Sequence, residues 1–131
     1  MSISFARANY QKTERSGVQE VTDPHEIIFV TLRELEKSIR TLSISRISQQ
    51  PYSDRQLTRA LTAVYILQTS LDFEKGGEVA DSLFRVYEYC RMQLMMAFRR
   101  DPTAALDAAA DAISGLADAW MQIAPTKKSA A

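Results

Sequence analysis

The sequence predicts an all-α protein, an antiparallel four-helix bundle preceded by a short N-terminal arm, and three observations carry that prediction. Glycine and proline together supply only 8 of the 131 residues, about half the usual share of these turn formers, which excludes a sandwich or barrel of many short strands. Four stretches of roughly 20 residues place apolar side chains three and four apart, the spacing that stacks them on one helical face. Short links carrying helix-start and helix-stop signals separate these stretches, and short links force neighbouring helices to run antiparallel. The expected boundaries are an arm over residues 1–22, the bundle over 23–125 and a disordered tail over 126–131.

The first helix is expected from about 24 to 47. Asp23-Pro24 opens it: the carboxylate accepts amide hydrogens left without partners in the first turn, and Pro24 takes the position where a missing N–H costs nothing. Ile28, Leu32, Leu35, Ile39 and Leu42 form its stripe. The polar stretch Ser48-Gln49-Gln50-Pro51-Tyr52-Ser53 reads as a connection. Ser53 or Asp54 then caps a second helix with Leu57, Leu61, Val64, Leu67 and Leu71 on its buried side, and Gly76-Gly77 is expected to end it. A third helix is expected from near Glu78, with Val79, Leu83, Val86, Cys90 and Ala97 on one line. Phe84, Tyr87, Leu94 and Phe98 occupy a neighbouring line, so this helix is apolar on more than one face. Asp101-Pro102 repeats the start signal and is expected to open a fourth helix running to about Ile123. Its stripe is Leu106, Ala110, Ile113, Ala117 and Trp120, and Pro125 marks its end. The arm carries Ile3, Phe5, Ala8 and Tyr10 and reads either as a short docked helix or as a mobile segment.

Composition narrows the function classes. Lys plus Arg balance Asp plus Glu at 16 each, so the chain lacks the basic field on which nucleic-acid binding or docking to an anionic membrane relies. One cysteine cannot form an internal disulfide, and no leader or apolar run near the length of a membrane span is seen, so a reduced cytoplasmic protein is expected. A di-metal site in a bundle needs Glu-x-x-His pairs on facing helices, and His25 is the only histidine. His25 itself is expected to be neutral and solvent-facing in the first turn of its helix, and Cys90 to be a small core hydrophobe without a base beside it. No glycine-rich phosphate loop follows a strand. No catalytic residue, metal or cofactor is expected.

The residues leave one question open. Met92, Met95, Met96 and Met121 suit either gap filling in a core or an adaptable surface for apolar partner side chains. Phe84, Tyr87, Leu94 and Phe98 cannot share one seam with Val79, Leu83, Val86 and Cys90. The third helix is therefore either surrounded or shows a second apolar groove, and an alanine-rich fourth helix covers little beside it. Grooves of that kind commonly receive an amphipathic helix from another chain.

The string Gln68-Thr69-Ser70-Leu71-Asp72-Phe73-Glu74-Lys75-Gly76-Gly77-Glu78-Val79-Ala80 resembles the flagellar secretion chaperone family (FliS). Matching pieces are Ala8-Asn9-Tyr10-Gln11, Asp23-Pro24-His25-Glu26-Ile27-Ile28, Leu83, Tyr87-Glu88-Tyr89, Leu94, Ala97 and Leu116-Ala117-Asp118-Ala119-Trp120-Met121-Gln122-Ile123, in the family order. The chain departs from the family pattern at Thr31-Leu32-Arg33-Glu34, at Ala97-Phe98 and in the connection from Leu42 to Asp54. The resemblance implies a cytoplasmic export chaperone that holds the disordered C-terminal segment of flagellin and prevents premature polymerisation before type III secretion, with other flagellar export or regulatory proteins as further partners. It implies client-binding roles for Tyr10 in the arm and for Phe84, Tyr87, Met95 and Phe98, with Met92 and Ile66 beside them. It also implies an arm whose residues 3–11 cover part of the groove until the client arrives. The competing expectation is a helical structural or regulatory protein that uses the same stripe for homodimerisation or to engage a flagellar regulator. A monomer or weak homodimer is expected, and an all-helical enzyme ranks last.

Overall fold

Asp23 begins the first helix as its neighbours predict: its carboxylate accepts the His25 amide hydrogen at 2.8 Å, and Pro24 fills the first turn. This is seen in a computed structural model that describes residues 23–123; the arm with Tyr10, the tail and Pro125 lie outside the described residues. Helix α1 spans Pro24–Ile47, α2 Asp54–Thr69, α3 Phe73–Phe98 and α4 Leu106–Gln122, and no strand occurs among the described residues. α1 packs most extensively against α4 and then α2, while α3 touches α2 and α4 less closely. The order of contacts along α1 and α4 is reversed: Arg33 meets Asp118, Arg40 meets Asp111 and Ser43 meets Asp107. The two helices are therefore antiparallel, and the protein is an up-down-up-down four-helix bundle.

The α1 stripe is the centre of the core. Leu32, Leu35, Ile39 and Leu42 are completely buried, as are Ala109, Ala110, Ile113 and Ala117 of α4. Each Leu or Ile withdrawn from water contributes about 1.5–3 kcal/mol, and alanines on the facing helix let the larger side chains of α1 reach the bundle axis. Polar groups close the outer edge of this seam. Arg33 spans Glu36 and Asp118 at 3.0 and 2.7 Å, Arg40 reaches Asp111 at 3.0 Å, Ser43 donates to Asp107 at 2.6 Å, and Arg46 donates to the Ala104 carbonyl.

Three boundaries differ from expectation, each for a local reason. Gly76-Gly77 does not end the second helix. α2 stops at Thr69, where the Thr69 and Ser70 hydroxyls donate back to the Ile66 carbonyl. Asp72 then caps α3 by accepting the Lys75 amide hydrogen at 3.0 Å, so the new helix starts before the glycines. Leu71, expected on the second helix, lies in the link and still packs on the core. Gly77 sits inside α3 with φ 50° and ψ −124°, a left-handed conformation that kinks the helix and that a Cβ would strain. Asp101-Pro102 does not open the fourth helix either. The Asp101 carboxylate is taken by the Thr103 amide and hydroxyl at 2.9 and 2.7 Å, which closes a turn instead. α4 starts at Leu106 without a side-chain cap of its own, and Gln93 of α3 accepts the Ala105 amide hydrogen at 2.6 Å.

A further correction concerns the faces of α3. Its buried line is Ala80, Tyr87, Cys90, Leu94 and Ala97, which crosses both expected lines, whereas Val79 is 66% exposed. Past the kink a helix repeats every 3.6 residues, so a stripe followed at intervals of three and four takes Tyr87 and Leu94 from one expected line and Cys90 and Ala97 from the other. His25 also departs from its expected solvent-facing position. Its ring stacks on Trp120 with centroids 5.0 Å apart, and its Nε2 lies 3.1 Å from the Trp120 carbonyl while the indole N–H donates to the His25 carbonyl at 2.9 Å. Because a carbonyl only accepts, Nε2 carries the hydrogen. This reciprocal clasp joins the first turn of α1 to the last turn of α4.

α1 and α3 end alike. The Gln50 amide bonds to the Ser45 carbonyl and the Asp101 amide to the Met96 carbonyl, which places Gln49 (φ 59°) and Arg100 (φ 62°) in the left-handed position that usually holds glycine. Replacing Gln49 or Arg100 by Gly is expected to stabilise the bundle by about 0.5–1 kcal/mol each. Urea titration checks this, and a midpoint that falls in both variants would contradict it.

Candidate functional site

The edge between α1 and α4 is laced by side-chain bonds along its length. Between α2 and α3 the only side-chain bond across the edge among the described residues is Gln68 to Glu88, at 3.0 Å. The apolar surplus of the bundle lies on this more open side. Helical periodicity places Phe84, Glu88, Arg91, Met95 and Phe98 on one line of α3, at intervals of four, three, four and three. Because Glu88 is bonded to Gln68, this line runs beside α2. Phe84 is 38% exposed and Phe98 60%, while Met95 is half-buried. Met92, 52% exposed, stands off the line toward solvent.

The other expected client residues have different surroundings. Tyr87 is only 2% exposed and belongs to the core cluster, so in this packing it lines no open groove. Burial pushes its hydroxyl pKa up to about 12. Ile66 is also buried, although it is outside the main core cluster. Tyr10 lies outside the described residues. The expected set thus divides: Phe84, Met95 and Phe98 share a flank, Met92 extends it outward, and Tyr87 and Ile66 lie beneath the surface.

The structure adds Phe73, which the sequence reading passed over. Its ring meets Phe84 edge-on, with centroids 6.0 Å apart at an angle of 63°, and it is 48% exposed. The only available signal was an aromatic residue one position after the Asp72 cap, and its partner eleven residues later follows no helical spacing. Tyr65 and Tyr89 are further exposed aromatics, outside the apolar stripes of α2 and α3.

Midway along the line, Glu88 and Arg91 form a two-bonded ion pair, with bonds from Arg91 Nε and Nη2. The Arg91 guanidinium, then the Gln68 amide, hold the Glu88 carboxyl down to about 2. This fixed, charge-compensated pair separates an apolar patch at Phe84 from one at Met95 and Phe98. Cys90 is fully buried against the Ala109 carbonyl, and burial pushes its thiol up to about 12, so it is no nucleophile. The flank offers apolar contact and little chemistry.

Comparison with known proteins places this arrangement in a family. The model described as "Flagellar protein FliS" matches residues 6–127. The chain belongs to the FliS family. Similar relatives include the flagellar secretion chaperone FliS of Salmonella typhimurium, 39% identical over 59 residues, or 45% of this chain and 44% of that protein. The Vibrio cholerae flagellar secretion chaperone FliS is 25% identical over 88% of this chain and 86% of its own length. A Pseudomonas aeruginosa relative, flagellar secretion chaperone FliSB, is 26% identical over 88% of this chain and 92% of its own. No solved structure matches the chain significantly. Among the described residues, no helix is long and apolar enough to cross a membrane.

Family-like strings have structural duties in this FliS-family chain. Asp72 to Ala80 builds the cap, kink and start of α3, and Ala119-Trp120 supplies the clasp to His25. The departure at Arg33 sits away from the flank, bonded to Glu36 and Asp118, and Glu34 is exposed. Phe98, the departure at the end of α3, lies on the flank itself.

An NMR titration of the Glu88 carboxylate is expected to give a midpoint near 2. Since the folded value is lowered, the associated stabilisation is present above the ordinary carboxylate value and is lost as pH falls through the folded one. Gln68→Ala is expected to raise that midpoint; a midpoint in the ordinary glutamate range in the unaltered chain would show that the α2–α3 bridge does not form in solution.

Proposed function

We propose that this FliS-family chain is a cytoplasmic export chaperone that binds the C-terminal segment of flagellin on the α3 flank and blocks its polymerisation before flagellar type III secretion. The observation that carries this reading is the exposure of Phe84 and Phe98 on one line of α3, with half-buried Met95 between them and exposed Met92 beside it, on a bundle whose opposite edge is closed by ion pairs. Its mechanism is occupancy. Apolar residues of a disordered client dock on the flank, fold as they bind, and are then withheld from other flagellin molecules.

No covalent step is needed. Coupled folding and binding costs several kcal/mol of ordering, so a stable yet releasable complex is served by many moderate contacts over an extended surface. Met92 and Met95 suit such contacts because an unbranched thioether adjusts its shape to different apolar partners. Tyr87 and Ile66 act beneath this surface, supporting its shape. Tyr10 and residues 3–11 of the arm cover part of the flank in the free protein and leave it when the client arrives. Other flagellar export or regulatory proteins use the same surface in turn.

The test is co-expression of the full chain with the last roughly 40 residues of flagellin, a length able to wrap a bundle of this size. A purifiable one-to-one complex is expected. A tight homodimer by sedimentation that excludes flagellin would favour a structural or regulatory protein instead. Phe98→Glu and Met92→Glu are expected to weaken the complex about tenfold or more with small changes in melting temperature, whereas Tyr87→Glu is expected to unfold the bundle. Unfolding by all three substitutions would refute the assignment of the flank.

Deleting residues 2–11 is expected to raise client affinity and the binding of an apolar dye. Unchanged values for both would remove the covering role of the arm.

A further inference from the structure

In an unbroken α-helix, residues eleven positions apart stand about 16 Å apart along the axis. Phe73 and Phe84 instead meet with ring centroids at 6.0 Å. Gly77 makes this possible: its φ of 50° and ψ of −124° break the helical path, so the turn that Asp72 caps carries Phe73 to the side of Phe84. Both rings remain substantially exposed, at 48% and 38%, although each shields part of the other. Such a paired surface is expensive in water, and the kink that builds it uses a residue whose conformation only glycine adopts without strain.

The surroundings of the rings describe what fits there. From 72 to 85 the exposed charged residues are Asp72, Glu74, Glu78 and Asp81, against Lys75 and Arg85, an acidic excess of two. An apolar side chain flanked by a Lys or Arg complements both the rings and this acidic frame, while a segment with acidic flanks is repelled. The ring pair also stands at one end of the candidate client surface, because Phe84 is the first member of the line that continues past the Glu88–Arg91 pair to Met95 and Phe98.

Resting on the flagellin-binding reading above, we infer that Phe73 and Phe84 form one end of the docking surface, a two-ring site shaped by Gly77 that receives an apolar side chain next to a basic residue in the flagellin C-terminal segment. Phe73 is a contact residue in this site, and Gly77 is a positioning residue that acts through it. The kinked turn therefore extends the recognition line of α3 beyond what an unbroken helix presents.

The experiment measures binding of the flagellin C-terminal segment to the full chain by calorimetry, with a thermal melt for every variant. Phe73→Ser is expected to weaken binding about tenfold, and Phe73→Leu to restore most of the affinity, because the site needs apolar area at that position. Gly77→Ala is expected to weaken binding by a similar factor, and adding it to Phe73→Ser to cause little further loss, since both act on one ring. Affinity is expected to fall as salt is raised from 50 to 500 mM, by about threefold or more if one ion pair frames the site.

Affinity within twofold of the unaltered chain for Phe73→Ser, while Phe84→Ser weakens it, would overturn the inference and leave the flagellin-binding reading in place. If the unaltered chain fails to bind the segment, that reading falls and this inference with it. Loss of self-association in Phe73→Ser with flagellin binding intact would assign the ring pair to a contact between copies and also overturn it. Should Gly77→Ala unfold, Phe73→Ser and Phe73→Leu still decide the matter.

Discussion

The fit of the α1 stripe against the alanine face of α4 is the interaction on which the rest of the bundle depends. Leu32, Leu35, Ile39 and Leu42 lose all contact with water, and Ala109, Ala110 and Ala117 leave room for them. Larger residues at those alanines would push α1 away from the axis and open the core on three sides. The same close approach brings Arg33, Arg40 and Ser43 within reach of Asp118, Asp111 and Asp107, so the polar edge follows from the apolar fit. Exposed ion pairs of this kind contribute little individually, and their main effect here is to hold the register of a seam that burial has already stabilised.

Closing one side of a four-helix bundle so completely leaves an imbalance on the other. α3 is the longest helix and packs least tightly, and its residues of suitable size for a core outnumber the positions that face one. Tyr87, Cys90 and Leu94 take the inner positions, so Phe84, Met92 and Phe98 are left facing solvent. In a protein that only had to be stable, polar residues would serve better there. The proposed function gives this surplus a use, as the surface on which a client docks.

Much of the fold was legible in the sequence because local rules were not opposed. α1 runs over the expected residues, since Asp23-Pro24 and a stripe of five apolar residues agree on where it starts and which side it buries. The misreadings occur where two local signals compete. Asp72 and Gly76-Gly77 offer rival boundaries: the cap wins because Thr69 and Ser70 already satisfy the end of α2, and Gly77 becomes a kink. Asp101 is drawn into a turn by Thr103, and the start of α4 passes to Gln93 from another helix, which no local pattern reveals.

The candidate surface was legible only as a composition. From the sequence, α3 carries more apolar residues than one seam accepts, and a family-like string lies at its start. These determined the helical class, the bundle, the first helix and the expectation of an apolar binding face. Only the tertiary structure decided which residues form that face: it buried Tyr87, exposed Phe98 and placed Phe73 against Phe84. The physical reason is that helical spacing fixes which side chains share a side, whereas the direction that side faces depends on how all four helices share one core, and on a single left-handed glycine that no periodicity encodes.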